Sequence, residues 1–364
     1  VTIQSINLLV KPTLACNARC LYCHSLKPTN NLSIPLLEHL LEKLAAFTNG
    51  HNIANVSMNW HGGEPMLMGS GFYETVMELE KRFFPHTQIR HTMQSNVCLY
   101  TGETRETLLK LMHARIIGAC LDPFHPTRLT AQGTDSFPQS LKGTLALLRD
   151  GFFIGMIYVV HKKSLEVVED LYYFFKNLGV PSILFHPLEE FGNPDYHLTP
   201  QDYGEFLKRL WDVWEEDDYE FNVSPLAEWR RFLRSGQPCS SCEYGAPSRE
   251  SPHIVVSPEG DLYPCHRFQD KRIHCMGNIG DLTFEEILSH PWAHLLSDSK
   301  ENLCSECAEC EYVSLCRSGC VATHDRSGKT FWCEGLKKIF EYVKSKESFG
   351  DADVQCSHAV PGCI

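Results

Sequence analysis

Along the first half of the chain the apolar positions alternate between two periods. The segments "INLLVK" (6–11), "NVSMNW" (55–60), "IRHTMQ" (89–94), "IIGACL" (116–121), "FIGMIYVV" (153–160) and "SILFH" (182–186) have the length and β-rich composition of strands. Between them the spacing is helical. In "SIPLLEHLLEKLAAF", Leu36, Leu37, Leu40, Leu41, Leu44 and Phe47 fall on one face, behind Ser33 as N-cap and Pro35 in the first turn. Residues 71–84, 103–114, 138–150 and 165–178 repeat the pattern less cleanly. Strands separated by helices predict an α/β fold with a parallel sheet and right-handed crossovers. An open sheet and a partial barrel both satisfy the pattern, and in either one ligands gather at the C-terminal strand ends.

Beyond residue 187 a loop leads to the amphipathic helix "YGEFLKRLWDVWEED" and a further helical stretch around 225–235. From Cys239 the periodicity fades and Cys, Gly and Pro dominate, with a hairpin predicted at "IVVSPEGDLYPC". This change predicts two domains, 1–225 and 226–364, the second held more by metal than by an apolar core.

Composition narrows the function. With 43% apolar and 21% charged residues in a chain of 364, a sizeable core can be buried. The formal net charge of −12 and the lack of any basic run exclude nucleic acid as the main partner. No apolar run reaches the roughly 18 residues of a membrane span, and "VTIQSINLLVKPT" has no signal-peptide pattern, so a cytoplasmic location is expected. A reducing compartment disfavours structural disulfides. The 17 cysteines, twelve of them within 239–364, therefore point to metal ligation.

In "CNARCLYC", Cys16, Cys20 and Cys23 follow the first predicted strand with no fourth cysteine nearby. A zinc site takes four protein ligands, or three plus water with a histidine or carboxylate among them. Three thiolates on a four-iron cube instead leave one iron open. The motif, with Tyr22 before the last cysteine, resembles the C-x-x-x-C-x-aromatic-C signature of the radical S-adenosylmethionine (radical SAM) superfamily. That resemblance implies a partial (β/α)6 TIM-type barrel, S-adenosyl-L-methionine on the open iron, and its cleavage to a 5′-deoxyadenosyl radical. Further segments are similar to the family's. "HGGEP", with Gly62, Gly63, Glu64 and Pro65, looks like the stretch that binds the ligand's amino group. "MQSNV", with Gln94, Ser95 and Asn96, resembles the stretch near its ribose and carboxylate. "CLDPFHPTR" resembles a further segment, with Cys120 in place of its serine, then Asp122, and with Arg128 facing cofactor or substrate.

The C-terminal cysteines resemble a SPASM domain, which implies two auxiliary [4Fe–4S] clusters and three in all. The first would use Cys242, Cys265 and Cys320 with Cys239 as fourth ligand; the second would use Cys307, Cys310, Cys316 and Cys333. A zinc ribbon is the alternative for the same cysteines. Cys98, Cys275, Cys304, Cys356 and Cys363 match no ligand position. In "PCHRF", His266 stands where sulfatase-maturing relatives carry an aspartate proposed as base. An imidazole can still take a proton.

The resemblance implies hydrogen-atom abstraction from a peptide. The replacement of that aspartate places intramolecular cross-linking of a precursor peptide (C–C, C–S or C–O) first. Formylglycine formation in a sulfatase, peptide epimerisation with Cys98, Cys120 or a tail cysteine as hydrogen donor, and a metal-stabilised scaffold without activity stay open beside it. Expected partners are the peptide and a reductant such as flavodoxin or ferredoxin. Because the chain starts almost at its first strand, leader recognition is expected to fall to the domain's own surface or to a separate leader-peptide-binding protein, unless the substrate does not depend on a leader.

Overall fold

A computed structural model describes residues 2–23, 30–189, 194–245 and 247–346; Cys356 and Cys363 lie outside the described residues. The predicted repeats are present in order: β1 (Ser5–Thr13), α1 (Ile34–Gly50), β3 (Asn55–Gly62), α2 (Gly69–Phe83), β4 (Gln88–Ser95), α3 (Gly102–Leu111), β5 (Ile116–Cys120), α4 (Phe137–Arg149), β7 (Phe153–Val160), α5 (Val168–Leu178), β8 (Ser182–Pro187) and α6 (Pro200–Glu216). Two three-residue strands, β2 (Ala18–Cys20) and β6 (Arg128–Thr130), form a separate antiparallel ribbon.

Local chemistry accounts for these elements. Ser33 Oγ accepts the Leu36 N–H at the start of α1, and Leu37, Leu40, Leu41 and Leu44 are fully buried on its inner face. Burying each leucine side chain contributes roughly 2 kcal/mol. In β7 burial alternates residue by residue, the signature of a strand with two unlike faces.

The chain forms two compact units. The first comprises residues 1–122, 126–156 and 248–297, and the second residues 123–125, 157–247 and 298–364, so packing cuts across the segments 1–225 and 226–364. In the first unit β1 pairs in parallel with β3, β3 with β4, and β4 with β5. The predicted hairpin is β10 (His253–Val256) and β11 (Asp261–Tyr263), extended by β12 (Gly277–Asn278). β10 adds to the free edge of β1 in parallel, so the cysteine-rich segment lengthens the sheet. The helix α8 (His266–Lys271) follows the hairpin, and Lys11 Nζ of β1 pairs with Asp270 Oδ1 of α8 at 2.8 Å, both side chains buried.

In the second unit β8 pairs in parallel with the short β9 (Asn222–Ser224). Here α6 packs closely against α13 (Cys333–Lys346) through glycines. A Cβ on Gly335 would lie 1.8 Å from Pro200 O, and one on Gly204 2.7 Å from Gly335 O. No side chain larger than hydrogen fits at that crossing.

Candidate active site and metal centres

β1 ends at Thr13, and its continuation carries Cys16, Cys20 and Cys23 across the C-terminal end of the parallel sheet. Two strand ends hold that loop. After β3 the "HGGEP" turn runs along it: Gly63 N–H donates to Thr13 O at 3.0 Å and Glu64 N–H to Ala15 O at 2.8 Å. The approach requires glycine. A Cβ on Gly62, where φ is +122°, would sit 2.2 Å from Thr13 O, and one on Gly63 2.1 Å from Ala15 O. After β4, Asn96 Nδ2 donates to Asn17 Oδ1 at 2.7 Å and lies 3.9 Å from Cys16 Sγ.

Glu64 is fully buried and locks these two turns together. Its Oε1 accepts from Met66 N–H (3.0 Å) and Ser95 Oγ (2.9 Å), and its Oε2 from Asn96 N–H (2.8 Å). Burial pushes the carboxyl's pKa up, opposed by those three bonds. Every partner is a donor, so the ionised form is the one that fits. Pro65 opens the following 3₁₀ turn and its carbonyl accepts from Tyr73 Oη at 2.8 Å.

On the other side of the loop, Arg128 of β6 is buried between cysteines and a carboxylate. Its guanidinium lies 3.7 Å from Cys20 Sγ, 3.2 Å from Asp122 Oδ2, and over the Tyr22 ring at 5.4 Å. It also hydrogen-bonds the Cys120 thiol, which accepts from Gln94 Nε2 at 3.2 Å. Asp122 Oδ2 further accepts from Tyr22 Oη (2.8 Å) and Thr127 Oγ1 (2.5 Å). Its Oδ1 is buried without a hydrogen-bond partner, an acceptor left available at the end of the fourth repeat. Burial raises the Cys20 thiol to about 11, against the pull of Arg128. A thiolate there needs positive charge, which iron supplies.

His266 opens α8 and stacks on His61, the residue before "GGEP", with ring centroids 5.3 Å apart and planes at 25°. Gly62 N–H donates to His61 Nδ1 at 2.7 Å. Burial, then His61, Lys11 and Arg267, hold the His266 imidazole well below its usual pKa. The structure thus brings His266 to the "HGGEP" turn.

In the second unit, Cys307, Cys310, Cys316 and Cys333 together line one pocket, with Val313, Leu336 and Phe340 among its walls. Soft sulfur donors around an apolar space fit a four-iron cluster. Among the described residues no three His, Cys, Asp or Glu side chains converge as on a single metal ion. Cys304, which matches no ligand position, hydrogen-bonds Cys307. Of the other auxiliary set, Cys265 belongs to the first unit and Cys239, Cys242 and Cys320 to the second. Glu228, itself buried, fixes the turn after Cys239 by accepting from Ser240 N–H at 3.0 Å and Ser241 N–H at 3.2 Å. Cys98 pairs with Ser140 Oγ at 3.2 Å, and exposed Cys275 faces Gly277 O at 3.6 Å.

Residues 248–311 match the SPASM family, an iron-sulfur cluster-binding domain. The chain is 27% identical to a cysteine-type anaerobic sulfatase-maturating enzyme of Clostridium perfringens, over 93% of this chain and 96% of that one. It is 26% identical to a serine-type anaerobic sulfatase-maturating enzyme of Bacteroides thetaiotaomicron, over 93% and 90%. Its fold matches native anSMEcpe solved with bound AdoMet and Cp18Cys peptide, with a TM-score of 0.81 at 26% identity, over 94% and 97% of the two chains. Residues 248–311 thus carry the likeness to an iron-sulfur SPASM domain, and the whole chain resembles the anaerobic sulfatase-maturating enzymes. The fold is the α/β partial barrel with a SPASM domain that the sequence implied. Sequence reasoning passed over His61, Lys11 and Asp270; only the place of His61 directly before two glycines was a signal for any of them.

Proposed function

We propose that this enzyme oxidises a cysteine or serine side chain of a peptide or protein substrate to formylglycine, as an anaerobic sulfatase-maturating enzyme. The observation that carries this reading is the likeness, over 93% of this chain and 96% and 90% of theirs, to both a cysteine-type and a serine-type maturase. The comparisons therefore favour formylglycine formation over the cross-linking that His266 suggested. One observation keeps cross-linking as the second reading: the imidazole of His266 following Cys265.

Turning CH2–OH into an aldehyde removes one hydrogen atom, one proton and one electron; with cysteine, water then replaces the sulfur, which leaves as hydrogen sulfide. When bound, S-adenosylmethionine with its four-iron cluster supplies a 5′-deoxyadenosyl radical for the hydrogen atom, and auxiliary clusters supply an acceptor for the electron. The chain's own residues divide the remaining work. Cys16, Cys20 and Cys23 would hold the first cluster, and Cys307, Cys310, Cys316 and Cys333 an auxiliary one. Cys239, Cys242, Cys265 and Cys320 would hold a third, on the resemblance to SPASM domains. Gly62 and Gly63 keep the backbone close enough to meet a ligand's polar groups, supported by Glu64, Pro65, Ser95 and Asn96. Gln94, Cys120, Asp122, Tyr22 and Arg128 form the polar wall opposite. A ring nitrogen of His266 would take the proton.

The reading is tested by anaerobic reconstitution, reduction and incubation with S-adenosylmethionine and a serine-containing sulfatase peptide. 5′-Deoxyadenosine should form with the natural enzyme and fall to background in Cys16→Ala. Equal formation by the two proteins would overturn the assignment of the cysteine loop.

A further inference from the structure

Lys300, in the helix α10 (Leu295–Glu301), is 5% exposed and has no carboxylate hydrogen-bonded to its ammonium among the described contacts. Its Nζ donates instead to three backbone carbonyls: Glu243 O at 2.6 Å, Arg317 O at 3.1 Å, and Gly319 O. An ammonium has three N–H donors and a neutral amine two, so this set of acceptors matches the charged form.

Each of these carbonyls adjoins a cysteine. Glu243 follows Cys242, Arg317 follows Cys316, and Gly319 precedes Cys320. The segment between the last two is an unusual backbone: Arg317, Ser318 and Gly319 have φ of 45°, 61° and 67°, all left-handed, and two of the three carry side chains. That conformation costs free energy, and it turns two carbonyls toward one cation. Burial lowers the Lys300 pKa, and Cys320, Cys316 and Cys242, in that order, are the groups that most oppose it. For its part, Lys300 is the leading influence that offsets burial at the Cys316 thiol.

We propose that Lys300 is a positioning residue of the auxiliary metal centres: a buried cation, held by three carbonyls, that fixes the Cys242, Cys316 and Cys320 loops and raises the reduction potential of the clusters they hold. This rests on the reading of those cysteines as cluster ligands. A fixed positive charge in a low-dielectric interior stabilises the more negative, reduced form of a neighbouring cluster. Cys316 belongs to one auxiliary set, and Cys242 and Cys320 to the other. A single ammonium thereby biases both toward accepting an electron.

The test uses the full chain with Cys16, Cys20 and Cys23 all changed to Ala, so that only auxiliary clusters remain. Iron and sulfide content is measured first, then the midpoint potentials by electron paramagnetic resonance during redox titration. Lys300→Met should keep its iron and become harder to reduce. At a fixed potential its reduced-to-oxidised ratio should fall at least tenfold, about 59 mV for a one-electron couple. Lys300→Arg, which keeps the charge, should stay near the parent. Unchanged potentials in an iron-replete Lys300→Met protein overturn the proposal while leaving the cluster reading intact. Absence of iron-sulfur clusters from the parent overturns both. Should Lys300→Met lose its iron, Lys300→Gln, which retains two N–H donors for the carbonyls, is titrated under the same criteria. Loss of iron from both neutral variants shows a structural role alone and equally overturns the electrostatic assignment.

Discussion

At the scale of the residue, the candidate active site is a set of side chains fixed by a few buried polar contacts. His266 is the position where this chain departs most from the sulfatase-maturing pattern, and its stacking on His61 puts the imidazole against the "HGGEP" turn. If its nitrogen takes the proton, His266→Ala should still cleave S-adenosylmethionine while oxidised product falls about 100-fold. His266→Asp should restore much of that loss. Parallel assays of 5′-deoxyadenosine and modified peptide separate the two effects. Glu64 has a different part, since its carboxylate accepts from three donors. Glu64→Gln replaces one acceptor oxygen with an N–H2 facing a donor and should cost about 1–3 kcal/mol in denaturant unfolding. The cysteine loop was legible because three thiols at fixed intervals form a pattern. Lys300 and His61 were not, because a single lysine or histidine has no pattern until the fold places carbonyls or a second ring against it.

At the scale of the element, the six expected strands lie within a few residues of their predicted bounds, because each has a buried face that its apolar residues record. Helix α1 begins where its serine and proline indicated. What was hidden is pairing between elements far apart in sequence. The addition of β10 to β1 leaves no periodic trace, and β2, β6 and β9, at three residues each, are too short to show a period. The contact of α6 with α13 is equally silent, as glycine marks a close approach only when its neighbour is known. Gly335→Ala would drive a methyl group into Pro200 O. It should lower stability by about 1–3 kcal/mol, read as a lower unfolding midpoint, and Ala at exposed Gly71, where nothing lies within 4 Å, should not.

At the scale of the whole molecule, the distribution of cysteines along the chain points to metal ligation, and the alternation of strand and helix periods followed by a cysteine-rich segment accounts for the α/β partial barrel and the SPASM domain. At one point a single residue and the whole chain point in different directions. The substitution of His266 for a carboxylate drew the reading toward peptide cross-linking, whereas likeness spread over more than nine-tenths of the chain favours sulfatase maturation. A single residue can alter which base serves a reaction without altering the reaction. The decisive measurement is therefore of the product. Reconstituted enzyme acting on a serine-containing sulfatase peptide should yield a peptide lighter by two hydrogens that forms an adduct with a hydrazine reagent, as an aldehyde does. A product lighter by two hydrogens that gives no adduct and fragments as a ring would contradict formylglycine formation and establish the cross-link instead.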